Sequence, residues 1–167
     1  MKYFAYGSNM FQQRLKKRVP SAHFISIAVL PGYMLKFHKL SQDGSGKCNA
    51  FRTGKSQDAV HGVIFDFDSS ERGVLDEHEG LGRGYHEENV ELLSDGETVK
   101  AVTFIADSDA IDESLNPYTW YKDFVVEGAK QNSINSEYIT YLEGFAAVND
   151  PDKRREERNR KILLSPM

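Results

Sequence analysis

The order of strand-like and helix-like segments constrains the fold of this chain more than any other feature. Runs rich in β-branched and aromatic residues predict strands over residues 2–6, 23–30, 34–40, 60–67, 86–93 and 98–106. Asp95-Gly96 lies between the last two runs and is typical of a two-residue hairpin turn. Strands and helices do not alternate regularly, which disfavours a doubly wound parallel sheet. The order favours an α+β fold, in which a small antiparallel or mixed sheet curls into a barrel flanked by helices.

Helical patterns are short and lie mostly in the second half of the chain. They predict helices over residues 9–18, about 69–79, 118–131 and 137–147. Asp68 and Glu71 match a capping box at one helix start, and Gly80 fits a left-handed helix end. Asn116-Pro117 predicts the start of the helix over 118–131. We expect one domain over residues 1–150, followed by a charged tail or helix over 151–167.

Charge and composition exclude several classes of protein. The net charge is −4, and the excess of basic residues lies in the mixed-charge segment 151–167, which favours a solvated helix over a nucleic-acid-binding arm. No apolar run approaches the roughly 20 residues of a membrane span, and Met1-Lys2 leads directly into a strand pattern, so we expect neither a membrane anchor nor a signal peptide. The single Cys48 cannot form an internal disulfide, which fits a cytoplasmic location.

Segments that resemble nucleotide-binding or metal-binding motifs lack the residues or the structural context that those motifs require. The segment "TGKS" (53–56) resembles the end of a Walker A loop, but Asn49 stands where the motif requires glycine. The segment "GLGRGY" (80–85) follows a helix pattern instead of a strand and ends in Tyr85. The five histidines contain no i, i+4 pair, so we expect no metal site. Cys48 lies in a glycine-rich predicted loop, 41–49, and is interpreted as an idle or buried thiol.

The stretch Gly7-Ser8-Asn9 marks a sharp corner between the first strand and the first predicted helix. Free backbone N–H groups at a helix start, together with hydroxyl and amide side chains, can bind an anion or a carbonyl oxygen. Gly7 would allow a ligand to approach the backbone closely. The alternative is an ordinary turn in which Ser8 or Asn9 caps the helix.

An acidic cluster lies at the end of the helix that precedes Gly80. It contains Asp76, Glu77 and Glu79, and Glu79 is at the predicted C-terminus. The helix dipole, the neighbouring carboxylates and burial would each raise the pKa of Glu79. A carboxylate tuned in this way can act as a general base. The alternative is an exposed acidic helix end.

Three motifs in this order resemble the γ-glutamylcyclotransferase family. They are "YFAYGSNM" (3–10), "LDEHEG" followed by "GY" (75–80 and 84–85), and "WYKDFVVEGAKQNSINSEYITYLEGF" (120–145). The resemblance extends from Tyr3 to about Asn149. It implies a small mixed β-barrel flanked by helices and an enzyme that needs no cofactor. The implied reaction is attack of an α-amine on a γ-glutamyl carbonyl, which releases 5-oxoproline and a free amino acid or amine.

The resemblance also implies roles for individual residues. Glu79 corresponds to the catalytic glutamate of the family, and Tyr121 corresponds to a tyrosine that faces the substrate. The residues that correspond to the substrate-binding corner are Tyr3, Ala5, Tyr6, Gly7, Ser8 and Asn9. Phe104 replaces a tyrosine that the human-type enzyme often carries, so the acceptor range or efficiency is expected to differ.

Several alternatives remain open at this point. The leaving group is undefined, so a cyclotransferase specific for γ-glutamylamines, or one that tailors an antibiotic, fits equally well. A non-catalytic γ-glutamyl-binding module and an RNA-associated role of segment 151–161 are further alternatives. The expected partner is a small γ-glutamyl substrate rather than nucleic acid or membrane, and a homodimer remains an open alternative. We expect segments 41–49 and 107–117 to form the pocket walls that select the leaving group.

Overall fold

A computed structural model of the protein describes residues 1–165 and contains a closed five-stranded barrel. The strands are β1 (Lys2–Ala5), β2 (His23–Pro31), β3 (Tyr33–Leu40), β4 (Gly46–Arg52), β5 (Ala59–Asp66), β6 (Tyr85–Ser94) and β7 (Glu97–Ala106). The barrel order is β1-β5-β2-β6-β7, and a parallel pair between β1 and β7, Tyr3 opposite Val102, closes it. Strands β3 and β4 form a separate antiparallel pair. The predicted α+β class with a curled mixed sheet is therefore confirmed.

Helices surround the barrel. They are α1 (Gln12–Arg18), α2 (Arg72–Glu79), α3 (Thr119–Gln131), α4 (Ser136–Glu143) and α5 (Lys153–Leu163). Helix α5 lies in the predicted charged tail and is joined to α3 through Asp150, which accepts hydrogen bonds from Trp120 Nε1 at 2.8 Å and Arg155 Nε at 2.7 Å. Among residues 1–165, no helix is long and apolar enough to cross a membrane.

One predicted helix start is wrong by three residues, and another has a different N-cap. A 3₁₀ turn over Ser8–Met10 precedes α1, which begins only at Gln12, and neither Ser8 nor Asn9 caps a helix with its side chain. The predicted start of α3, about residue 118, is confirmed to within one residue, but the N-cap is Tyr118 instead of Asn116. The chain stays extended at Tyr118, where the backbone pairs with Val148.

Strand β4 occupies part of the segment predicted as a loop over 41–49. It pairs with β3, and it buries Cys48 and Ala50. The glycine that suggested a loop serves a different purpose, because a Cβ atom on Gly46 would lie 2.1 Å from the carbonyl oxygen of Phe37. Gly46 therefore permits close approach of two backbones, which is one of the uses of glycine inside a strand.

Local turn chemistry was predicted more accurately. Ser94 pairs with Glu97, and the two residues between them have positive φ angles of 49° and 82°, as a type I′ turn requires. Gly80 ends α2 with φ 73°. The capping box is only half formed: Asp68 accepts from the N–H of Ser70, but Glu71 binds Ser21 instead.

Candidate active site

The corner after β1 is a 3₁₀ turn braced by helix α3. Met10 N–H donates to the carbonyl of Gly7 at 3.0 Å, and this turn supplies no partner of its own for the N–H groups of Ser8 and Asn9. Helix α3 reaches the corner because position 128 is glycine: a Cβ atom there would lie 2.6 Å from the backbone nitrogen of Phe11. The backbone of α3 therefore packs directly against the backbone of the corner and fixes its position.

An inner cavity opens at this corner, and the space between its walls, including the part open to solvent, is about 310 Å³. Its walls are Tyr3, Tyr6, Gly7, Ser8, Asn9, Cys48, Glu79, Tyr85, Phe104 and Tyr121. The structure thus brings together every predicted site residue except Ala5, which is fully buried in β1 opposite Val63. Among the described residues, no cationic side chain lines the inner cavity, and Glu79 is the one carboxylate that does.

Glu79 points from the end of α2 into the cavity, with 20% of its side chain exposed. Its Oε1 accepts a hydrogen bond from Asn9 Nδ2 and lies 3.6 Å from Nη1 of Arg18. The same Asn9 amide donates to the hydroxyl of Tyr3 at 3.2 Å, so the corner orients both the tyrosine and the carboxylate. An exposed acidic helix end, the alternative to a catalytic glutamate, does not describe this environment.

Burial raises the pKa of Glu79 above its ordinary value, although Arg18 and Arg14 oppose the shift. The hydrogen bonds from Tyr3 and Asn9 act in the same direction as the arginines. The predicted direction of the shift is therefore confirmed. Its cause is removal of the carboxylate from water rather than repulsion by the acidic cluster.

A second, outer compartment adjoins the inner cavity, and the space between its walls, including the part open to solvent, is about 710 Å³. Its walls are Ser8, Arg14, Arg18, Lys39, Ser41, Gln42, Lys47, Glu77, His78, Glu79, Gly80, Arg83, Tyr85 and Tyr121. Segment 41–49 contributes to these walls as expected, whereas segment 107–117 lines neither compartment. Four residues, Ser8, Glu79, Tyr85 and Tyr121, line both compartments and mark the junction between them.

Comparison with known proteins agrees with this geometry. The AIG2-like family matches residues 59–142. The chain is 32% identical over 159 residues to γ-glutamylcyclotransferase of Bos taurus, covering 93% of this chain and 84% of the relative. Identity with the Homo sapiens protein of that name is 31% over 161 residues, with the same coverage. A solved γ-glutamyl cyclotransferase structure matches with a TM-score of 0.85 and 27% identity, covering 96% of this chain and 98% of that chain.

The chain belongs to the γ-glutamylcyclotransferase family. Because the match covers nearly all of both chains, the protein is an enzyme of this type. Among the residues that the structure describes, no group of three or more histidine, cysteine or acidic side chains could hold a metal ion.

Tyr121 and Tyr85 hold the peptide groups of Cys48 at the cavity wall of this γ-glutamylcyclotransferase-family site. The backbone N–H of Cys48 donates to the Tyr121 hydroxyl at 3.2 Å, and the Tyr85 hydroxyl donates to the Cys48 carbonyl. Burial raises the pKa of the Cys48 thiol to about 12, so the thiol stays protonated, as its interpretation as an idle group requires. Sequence reasoning did not assign Tyr85 to the site, although the "GY" motif contains it.

Phe104 lies in β7. Its ring lines the inner cavity and packs edge-on against Tyr3, with ring centroids 6.0 Å apart. Its backbone carbonyl accepts a hydrogen bond from the Tyr6 hydroxyl. The backbone of β7 therefore binds Tyr6 at this position, while the Phe104 ring presents an apolar surface to a molecule in the inner cavity.

Proposed function

We propose that the protein cyclises the γ-glutamyl group of a γ-glutamyl amino acid, peptide or amine to 5-oxoproline, with Glu79 as the general acid and base. The supporting observation is the position of Glu79. It is the carboxylate of an otherwise uncharged inner cavity, its pKa is raised by burial, and it also faces the outer compartment. A base for this reaction has to meet both halves of the substrate, because it takes a proton from one and returns it to the other.

The two compartments suggest how the substrate is divided. In the proposed arrangement the glutamyl half occupies the inner cavity, where Glu79 accepts a proton from its α-ammonium group. The free amine then attacks the γ-carbonyl carbon and forms the ring C–N bond. Protonated Glu79 gives its proton to the leaving nitrogen in the outer compartment, and the bond to the leaving amine breaks. The ring nitrogen still carries one hydrogen too many, and Glu79 passes this second proton to the departing amine, which leaves as an ammonium. Two protons thus move from the α-ammonium group to the leaving nitrogen, and atoms and charges balance without an added reactant.

The corner offers stabilisation for the oxyanion that develops on the γ-carbonyl oxygen. The N–H groups of Ser8 and Asn9 have no partner within the 3₁₀ turn, and both residues line the inner cavity. Donors fixed in place before the reaction are worth more than water, which must reorganise. Gly7 leaves room beside them, because a Cβ atom there would lie 3.2 Å from Cys48 Cβ.

The cyclisation is intramolecular, so binding the glutamyl arm in a folded conformation lowers the activation barrier substantially. We propose a small-molecule γ-glutamyl substrate, no cofactor, and a role in the cytoplasm. No feature of the cavity favours γ-glutamylamines over γ-glutamyl peptides by shape alone.

A substrate panel tests the proposal. The protein is incubated with γ-glutamyl dipeptides, γ-glutamyl amines and glutathione, and 5-oxoproline is quantified. We expect release from at least one class, and loss of release in the Glu79→Gln variant. Saturable binding of these compounds without any 5-oxoproline would instead identify a non-catalytic γ-glutamyl-binding module.

A further inference from the structure

The outer compartment is strongly basic, in contrast to the inner cavity. Five of its lining side chains are cationic, namely Arg14, Arg18, Lys39, Lys47 and Arg83. Only two carboxylates, Glu77 and Glu79, line the same space. Some of these cations have a counter-ion within the protein, and others do not.

Arg18 and Lys47 have carboxylate partners. Arg18 lies 3.6 Å from Glu79, and Lys47 lies 2.8 Å from Asp43. Their charges are therefore at least partly compensated before any ligand binds.

Arg14 has no such partner. Within residues 1–165, no carboxylate oxygen lies within 4.0 Å of its guanidinium. Its Nε donates to Ser8 Oγ at 3.2 Å and its Nη1 to the Asn159 amide oxygen at 2.9 Å, so these acceptors are neutral. Burial, reinforced by the charge of Arg18, lowers the pKa of Arg14 to about 9. A cation in this setting gains strongly from an anionic ligand.

Among the described residues, Lys39 and Arg83 likewise form no ion pair. Lys39 is 6% exposed, and its Nζ donates to the Arg83 carbonyl at 2.9 Å and lies 4.6 Å from the centre of the Tyr85 ring. Arg83 is exposed on the rim. In the part of the chain that the structure describes, no carboxylate oxygen lies within 4.0 Å of either cation.

Resting on the proposed function, we infer that the outer compartment selects substrates whose leaving amino acid carries an acidic side chain. A γ-glutamyl dipeptide with a neutral second residue carries two carboxylates, and only the one on the leaving half reaches the outer compartment. Among the described residues, three cations there form no ion pair, namely Arg14, Lys39 and Arg83. An aspartate or glutamate in the second position brings a further carboxylate to the compartment that holds these cations. Charge complementarity of this kind distinguishes ligands of equal size.

The test compares γ-glutamyl-glutamate with γ-glutamyl-glutamine, which have nearly the same shape and differ in one charge. We expect kcat/KM for the acidic dipeptide to be higher by about tenfold, equivalent to about 1.4 kcal/mol. Raising the ionic strength should narrow the difference, because salt screens the attraction. In Lys39→Gln, whose amide can still donate to the Arg83 carbonyl, the preference should fall to less than about threefold. Lys100→Gln is the matched control, since Lys100 is 81% exposed on β7, and it should keep the full preference.

Each outcome decides the inference. Equal kcat/KM for both dipeptides overturns it and leaves the proposed function standing. If neither dipeptide yields 5-oxoproline, the wider substrate panel decides the proposed function, and isothermal titration with the same two compounds still tests selectivity, with equal Kd values overturning the inference. If Lys39→Gln does not fold, Arg83→Gln at the exposed rim takes its place and should weaken the preference in the same direction.

Discussion

Replacing Glu79 by glutamine removes the ability to accept a proton while keeping the size of the side chain. The amide oxygen of glutamine can still accept the hydrogen bond from Asn9, so the corner should keep its geometry. Loss of a general base typically lowers turnover by about 10²–10⁴-fold. At about 1.4 kcal/mol for each factor of ten, the barrier to reaction should rise by about 3–5 kcal/mol. The assay is 5-oxoproline release at saturating substrate.

The same substitution should not destabilise the fold near neutral pH. Because the folded protein raises the pKa of Glu79, it binds the proton more tightly than the unfolded chain does. The free energy of unfolding therefore falls as pH rises from the unfolded pKa to the folded pKa, and stays lower above it. Glutamine cannot ionise and escapes this loss, so thermal unfolding of Glu79→Gln should occur at or above the wild-type temperature. In the wild type, kcat/KM should fall as the solution is acidified through the raised pKa.

Glu91→Gln is the control, because Glu91 is 68% exposed on β6 and faces only Lys100, at 3.6 Å. Such a surface pair contributes about 0–1 kcal/mol, so both turnover and stability should stay near wild type. The reasoning fails if Glu79→Gln keeps wild-type turnover, since the base would then be another group. It also fails if the variant unfolds well below the wild type, since the carboxylate would then be a structural anchor.

Three further substitutions test the walls of the inner cavity. Tyr121→Phe should raise KM. Because the Cys48 N–H would lose its acceptor, the free energy of unfolding, measured by denaturant titration, should also fall by about 1–3 kcal/mol. Unchanged kinetics and stability would contradict both roles of Tyr121. Gly7→Val should abolish 5-oxoproline release in a folded protein, since its Cβ would lie 3.2 Å from Cys48 Cβ and its two methyl groups would fill the inner cavity; full activity would mean that the corner is only a turn. Gly128→Ala should lower both Tm and kcat/KM, because overpacking against Phe11 costs about 1–3 kcal/mol, and a wild-type Tm would refute close packing there.

The features that could be predicted from sequence depend on neighbouring residues. The turn at Asp95-Gly96 and the left-handed end of α2 at Gly80 follow from local backbone preferences, and both are confirmed. The errors occur where a distant segment decides. Gly46 lies in a strand because β3 passes close by, and Tyr118 stays extended because Val148 pairs with it. Neither feature can be predicted from residues that are close in sequence.

The positions of the cations in the outer compartment also depend on residues that are distant in sequence. Arg14 and Arg18 are four residues apart on α1, so the helical repeat predicts that both lie on one face of the helix. What the repeat cannot predict is that this face meets the end of α2, more than fifty residues later, where Arg18 lies 3.6 Å from Glu79. The tuning of Glu79 and the charge of the space beside it thus come from a helix–helix contact. The charge of Arg18, in the last turn of α1, is compensated by the helix dipole and by Glu79. The guanidinium of Arg14 packs over the rings of Trp120 and Phe124 and donates to neutral acceptors, so an anionic ligand would supply the counter-charge that the described residues do not.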